Sequence, residues 1–151
     1  MPMKAPDVVR SVVTAGDMEP DPMDPSWILE GNPEARSRRL FLDPDRSISA
    51  VLWDCTAGTF DWHYGGDEII QIVDGEAELT FPNGTVTTVK PGDIVYFPGA
   101  QIVRFNVPRY VRKVSLFSDR TSPFRRLVQK IPFARRIVHK VRASRSTMFI
   151  A

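Results

Sequence analysis

At 151 residues, with 42% hydrophobic and 25% charged positions, the chain has the length of one domain and the composition of an ordinary globular protein, with 13 prolines the one mild excess. A single cysteine, Cys55, excludes an internal disulfide and a zinc-type Cys pair. The opening residues lack the apolar run of a signal peptide, and no stretch approaches the roughly 18 apolar residues of a membrane span, so the expectation is a cytoplasmic protein.

The net charge of +2 conceals an uneven distribution. Residues 1–108 hold 8 Lys and Arg against 17 Asp and Glu, whereas residues 109–151 hold 12 against Asp119 alone. A basic tail that folds against an acidic body, in the same or a neighbouring subunit, would neutralise both fields.

Residues 1–30 read as an N-terminal arm ending in an acidic, proline-rich lead-in loop, because the run Asp17 to Pro25 offers little apolar surface to order it. Strands are expected at Arg38 to Leu42 and Ile48 to Trp53, with Gly58 breaking the run. Thr59 to Tyr64 alternates strictly, Phe60, Trp62 and Tyr64 on one side and Thr59, Asp61 and His63 on the other. Glu68 to Val73, a tight turn at Asp74-Gly75, and Glu76 to Phe81 follow. Asn83-Gly84 favours a type I′ hairpin turn, so these strands are expected to make consecutive antiparallel pairs. Thr85 to Val89, the turn Lys90 to Asp93, Ile94 to Phe97, Ile102 to Val107 and Val111 to Phe117 complete about eight or nine short strands, an all-β sandwich or barrel.

After residue 120 the period changes. Phe124, Leu127, Val128 and Ile131 recur at helical spacing, Pro132 interrupts, and Ala134, Ile137, Val138 and Val141 continue the stripe among Lys and Arg. Residues 119–151 therefore read as a basic amphipathic helical tail. It has three candidate partners: the barrel or a second subunit, an anionic membrane surface contacted through residues 121–142, and, least favoured, nucleic acid, for which no stacking platform or reading motif is present.

Glu68 with Gly75, and Pro91-Gly92-Asp93 with Pro98, fall at the spacing of the two motifs of the cupin superfamily, which the chain resembles. The run Trp53-Asp54-Cys55-Thr56-Ala57-Gly58-x-Phe60-x-Trp62, the pair Asp67-Glu68 and the pair Arg112-Lys113 are similar to small single-domain cupins related to ureidoglycine aminohydrolases and ethanolamine-utilisation cupins. The likeness spans about residues 31 to 117. It implies an all-β, single-domain jelly-roll barrel over residues 31–118, commonly a homodimer, with an interior pocket for a small molecule and the tail appended as a helix.

The cupin motif places two histidines before its glutamate, and counting back from Glu68 leaves two registers open. One aligns Asp61 and His63 with those histidines; with Glu68 they would give one nitrogen and two carboxylates to a divalent transition metal, Fe, Mn or Zn. The other puts Trp62 and Tyr64 inward, leaving Glu68 as a lone carboxyl among apolar walls, a candidate general acid or base with a raised pKa. A one-residue slip separates the two. The aromatic interior is favoured, since hiding each ring is worth roughly 1.5 to 3 kcal/mol, whereas three ligands need a metal to be stable.

The leading expectation is a cupin that binds a small polar molecule, weakly catalytic or not at all, with Trp62, Tyr64, Glu68 and Phe105 lining the pocket and no cofactor required. The alternatives are a metal-dependent enzyme for a small nitrogenous or carbonyl substrate, using Asp61, His63 and Glu68, and a membrane- or partner-docking module working through its tail. Ordinary readings stand beside each candidate: His63 as a hydrogen-bonded surface residue, Trp62 and Tyr64 as core, and Cys55 as a small hydrophobe.

Overall fold

The computed structural model describes residues 8–44 and 46–118. The described chain is built from strands β1 (Glu19–Pro20), β2 (Ile28–Gly31), β3 (Ala35–Leu42), β4 (Ile48–Gly65), β5 (Glu68–Gly75), β6 (Ala77–Thr80), β7 (Val86–Val89), β8 (Ile94–Phe97) and β9 (Ala100–Ser118). One 3-10 turn, Pro25–Trp27, lies between β1 and β2. The sheet runs β1-β3-β4-β9-β5-β8, with β2 on the flank of β4 and β6 joined to β7 and β9; all of these pairings are antiparallel. The all-β expectation is met. The helix expected within residues 119–151 lies outside the described residues, and among the described residues no helix is long and apolar enough to cross a membrane.

Two long strands form the spine. The sequence suggested a break at Gly58 and another between Val107 and Val111, yet β4 and β9 each run through. A bulge explains both. Pairing steps from Thr56↔Tyr110 to Gly58↔Val107, which leaves Ala57 extra on β4 and Pro108 and Arg109 extra on β9. Pro108 has no N–H to give the ladder, so a bulge is where a strand can accommodate it. One extra residue inverts the phase of β4, whose buried side chains pass from Trp53 and Cys55 to Phe60, Trp62 and Tyr64. Two extra residues preserve the phase of β9, where Val103, Phe105 and Val107 continue as Val111, Lys113 and Ser115.

Three other expectations need correction. Glu68 to Val73 and Glu76 to Phe81 do not form a hairpin: β5 pairs with β8 and the second half of β9, while β6 pairs with β7 and the first half of β9. Asp74-Gly75 is therefore a crossing point, where Glu76 N donates to Tyr110 O at 3.0 Å. The β6–β7 hairpin does turn at Asn83-Gly84, but as a three-residue loop. Phe81 N donates to Thr85 O, Gly84 N donates to Phe81 O, and only Gly84, at φ +83, is left-handed, whereas a type I′ turn needs both central residues there. Lastly, the lead-in loop is anchored. Met23 and Trp27 are buried in the core, β1 pairs with β3, and Asp24 Oδ1 accepts from Ser26 N to cap the 3-10 turn. The proline and acid count concealed two large apolar side chains four residues apart.

Gly75 sits at φ +68, and a Cβ there would overlap the carbonyl of Tyr110. Gly75→Ala combines left-handed strain with backbone overlap and is expected to destabilise the fold by about 3 kcal/mol or more; urea unfolding of the purified variant measures it.

Candidate functional site

The phase set by the bulge brings polar side chains into the barrel. Lys113 on β9 lies opposite Trp53 on β4 and Ile72 on β5, and Glu68 opens β5 opposite Phe97 and Phe117. Lys113 Nζ stands 3.5 Å from Glu68 Oε1 and donates to Ser115 Oγ at 3.0 Å. Lys113 is 1% exposed and Glu68 4%. The ammonium also faces the rings of Trp53 at 4.9 Å and Trp62 at 5.8 Å, which offer it their negative faces.

Burial dominates the ionisation of both groups. It pushes the Glu68 carboxyl up to about 7, against the opposing pull of the Lys113 charge and the Ser115 and Lys113 hydrogen bonds. It lowers Lys113 to about 8, against the opposing charge and hydrogen bond of Glu68. Two groups that are normally both charged at neutrality are thus each brought close to exchanging a proton. Around them, Trp53 Nε1, Trp62 Nε1 and Tyr64 Oη are buried with no protein partner among the described residues. Tyr64 stacks on Phe97 at 4.2 Å, and burial together with the Glu68 charge holds its hydroxyl well above the ordinary tyrosine value. The interior is therefore rich in hydrogen-bond donors and walled by aromatic rings.

The structure separates the residues singled out in the sequence. Trp62, Tyr64 and Glu68 face the interior, as the aromatic register requires. Phe105 is buried too, stacked on Phe60 at 5.4 Å, and Phe60 in turn meets Trp62 edge to face. Asp61 faces outward and forms two hydrogen bonds with Arg104, at 2.8 and 3.0 Å, which lower its pKa. His63 lies flat on Trp27 at 4.7 Å. Asp61, His63 and Glu68 are therefore not assembled into a metal site, because strict alternation puts the first two on the opposite face from the third. Among the described residues no group of three His, Cys, Asp or Glu side chains could hold a metal ion. The donor set does not fit a cupin-type metal, since the carboxylate the motif would offer it faces the ammonium of Lys113.

Sequence reasoning missed Lys113, Ser115 and Trp53 as site residues. The signal was available: Lys113 and Ser115 continue the inward phase of Val111. Cys55, also inward, has its thiol pushed up to about 12, first by burial and then by the Asp54 charge, and behaves as a small hydrophobe.

On the outer face, Arg36, Asp54, Arg112 and Asp74 stand directly opposite one another across β3, β4, β9 and β5. Arg36 grips Asp54 through Nε and Nη2, Tyr110 Oη donates to Asp54 Oδ2 at 2.7 Å, and Arg112 bonds Asp74 at 3.2 Å. Slipping β9 by one residue would exchange Arg112 for Lys113, so this ladder fixes which of the two cations is inside. A surface cleft of about 380 Å³ beside the bulge is lined by Gly75, Glu76, Pro91, Pro108, Arg109 and Tyr110, none of them in the interior cluster.

Residues 42–114 match the EutQ-like cupin domain. Over that segment the chain is similar to the ethanolamine-utilisation group of the cupin superfamily. It is 27% identical over 85 residues to a Clostridioides difficile (strain 630) protein named acetate kinase EutQ, with 54% of each chain covered, so the chain spans about half the length of that curated relative. A putative ethanolamine utilisation protein Q from Salmonella typhimurium LT2 has the same fold, with 22% identity and a TM-score of 0.52 over 58% of this chain and 72% of the other. A protein of unknown function from Pseudomonas syringae pv. tomato DC3000, of the DUF861 family, superposes with a TM-score of 0.61 at 27% identity, over 68% of this chain and 44% of that one.

Removing one partner of a buried ion pair typically costs about 3 to 5 kcal/mol. Glu68→Gln and Lys113→Met are each expected to destabilise the protein on that scale near neutral pH, and the double variant by clearly less than the sum. The pair also shapes the pH profile. The folded pKa of Glu68 lies above its ordinary 4.5, so its contribution is fully present below 4.5 and is lost as pH rises to about 7. That of Lys113 lies below its ordinary 10.5, so its contribution is lost as pH falls through about 8 and is fully present above 10.5. Urea unfolding across pH should show the wild type passing through a minimum relative to the double variant between those two windows.

Proposed function

We propose that the cupin binds a small molecule bearing acceptor oxygens, a short carboxylate in the first place, inside the barrel between Lys113 and the rings of Trp53, Trp62 and Tyr64. The observation that carries this reading is the donor excess of the interior: two indole N–H groups and a phenol, all buried without protein partners among the described residues, beside an ammonium that is itself buried. A buried donor left unpaired costs about 1 to 3 kcal/mol, so a ligand supplying acceptors is favoured at each one. Aromatic walls with a few convergent polar groups are the usual make-up of a small-molecule site. The relative named acetate kinase EutQ agrees with a short carboxylate as the kind of molecule handled.

Glu68 is the group suited to catalysis in this proposal. A carboxyl held near neutrality beside a bound molecule can give or take a proton, and general acid–base assistance of that kind contributes about 10² to 10⁴ in rate. Chemistry at this site is then proton movement by Glu68 and Lys113 rather than metal activation through Asp61 and His63, which face away.

Calorimetry and thermal shift with acetate and propionate test the binding reading. The wild type should bind and gain stability, and Lys113→Met should weaken binding by roughly tenfold or more, about 1.4 kcal/mol. Failure of the wild type to bind either acid, or equal binding by the two proteins, would remove the interior as the site.

A further inference from the structure

We infer that Lys113 is a nucleophile that condenses with the carbonyl group of a small oxo acid, whose carboxylate rests on the indole and phenol donors around it. The inference rests on the interior-binding reading and adds a covalent step to it.

Three features of the interior support it. The first is position. Lys113 projects from the central strand β9 into the barrel and is 1% exposed. Its polar contacts there are one carboxylate oxygen and one hydroxyl. A lysine serving only as an ion-pair partner would be expected to hold its carboxylate closely, but the Nζ to Oε1 separation is 3.5 Å, at the outer limit of a hydrogen bond.

The second is the type of the unpaired groups. Trp53 Nε1 and Trp62 Nε1 can only donate, and Tyr64 Oη is a ready donor, so all three ask for oxygen acceptors. Both indole rings also lie against the Lys113 amine, at 4.9 and 5.8 Å. A simple aldehyde would leave most of these donors unpaired. An oxo acid presents a carboxylate to them and a carbonyl carbon to the amine in one compact molecule.

The third is proton balance. Moving one proton from the Lys113 ammonium to the Glu68 carboxylate gives a neutral amine beside a neutral acid, a state that burial brings within reach of the charged pair by raising the carboxyl and lowering the amine. The amine nitrogen then bonds to the carbonyl carbon while Glu68 protonates the carbonyl oxygen, and the nitrogen returns a proton to Glu68 to leave a carbinolamine. Glu68 next donates to the carbinolamine hydroxyl, the carbon–oxygen bond breaks, and water departs. The sum is ammonium plus carbonyl giving protonated imine plus water, with Glu68 again a carboxylate and no oxidant or reductant required. Desolvation in an apolar site is a recognised way to activate a lysine for this step, and the lowered pKa of Lys113 agrees with it.

Glyoxylate, the smallest oxo acid, is the probe, with cyanoborohydride to reduce any imine to carboxymethyl-lysine and peptide mapping to locate it. At neutral pH Lys113 should be modified roughly tenfold or more faster than the exposed Lys90, despite its burial. Glu68→Gln should slow the Lys113 adduct by roughly tenfold or more and leave Lys90 unchanged. Lys113→Arg should form no interior adduct, while Lys90 is modified at the wild-type rate. If acetate binds while Lys113 reacts no faster than Lys90, the nucleophile is excluded and the binding reading stands. If acetate does not bind and no interior adduct forms, both are excluded. Modification of Lys113 at the same rate in Glu68→Gln would overturn the proton role given to Glu68.

Discussion

Placing an ammonium and a carboxylate together inside an aromatic barrel costs desolvation energy on both, of the order of several kcal/mol per ion. Attraction between Lys113 and Glu68 returns only part of it, which is why burial is the leading cause of both pKa shifts and their mutual attraction the opposing one. Everything else in the site follows from that imbalance. The carboxyl rises and the amine falls until they are within reach of sharing a proton. Meanwhile the rings that exclude water leave their own N–H and O–H groups without protein partners among the described residues. A barrel that needed only stability would fill such positions with leucine or valine, as it does with Leu79 and Val103.

Holding that arrangement in place is the work of strand phase. Lys113 and Arg112 are neighbours on β9, so one faces the interior and the other the outer ladder, and the ladder decides which. Arg36, Asp54, Arg112 and Asp74 bind four strands in register, with Tyr110 adding a hydrogen bond to Asp54. The bulge at Ala57 and Pro108-Arg109 then lets β4 change face between Cys55 and Phe60, so that Trp53 and Trp62 both point inward and meet edge to face at 5.6 Å. Without that change of phase, Asp61 and His63 would occupy the interior.

Much of this fold was legible in the sequence, and the failures have physical causes. Local alternation gave the strands and the inward set Phe60, Trp62 and Tyr64, because side-chain period survives any tertiary context. Pairing was less legible. Asp74-Gly75 has the composition of a hairpin turn, yet the approach of the Tyr110 carbonyl makes it a crossing, and that approach depends on a strand more than thirty residues away in sequence. Glu68 was identified through a motif. Lys113 was seen only as half of a basic pair, since a lysine in an alternating strand reads by default as its solvent face. Met23 and Trp27 were hidden by prolines and acids that suggested a chain without a core.

Heteronuclear NMR titration of the Lys113 side chain tests the central claim most directly, because it observes the amine itself in the intact protein. Burial in the barrel predicts a midpoint near 8, far below the ordinary 10.5. A midpoint at the ordinary lysine value would mean that the ammonium is solvated, and the interior pair with the chemistry built on it would be contradicted.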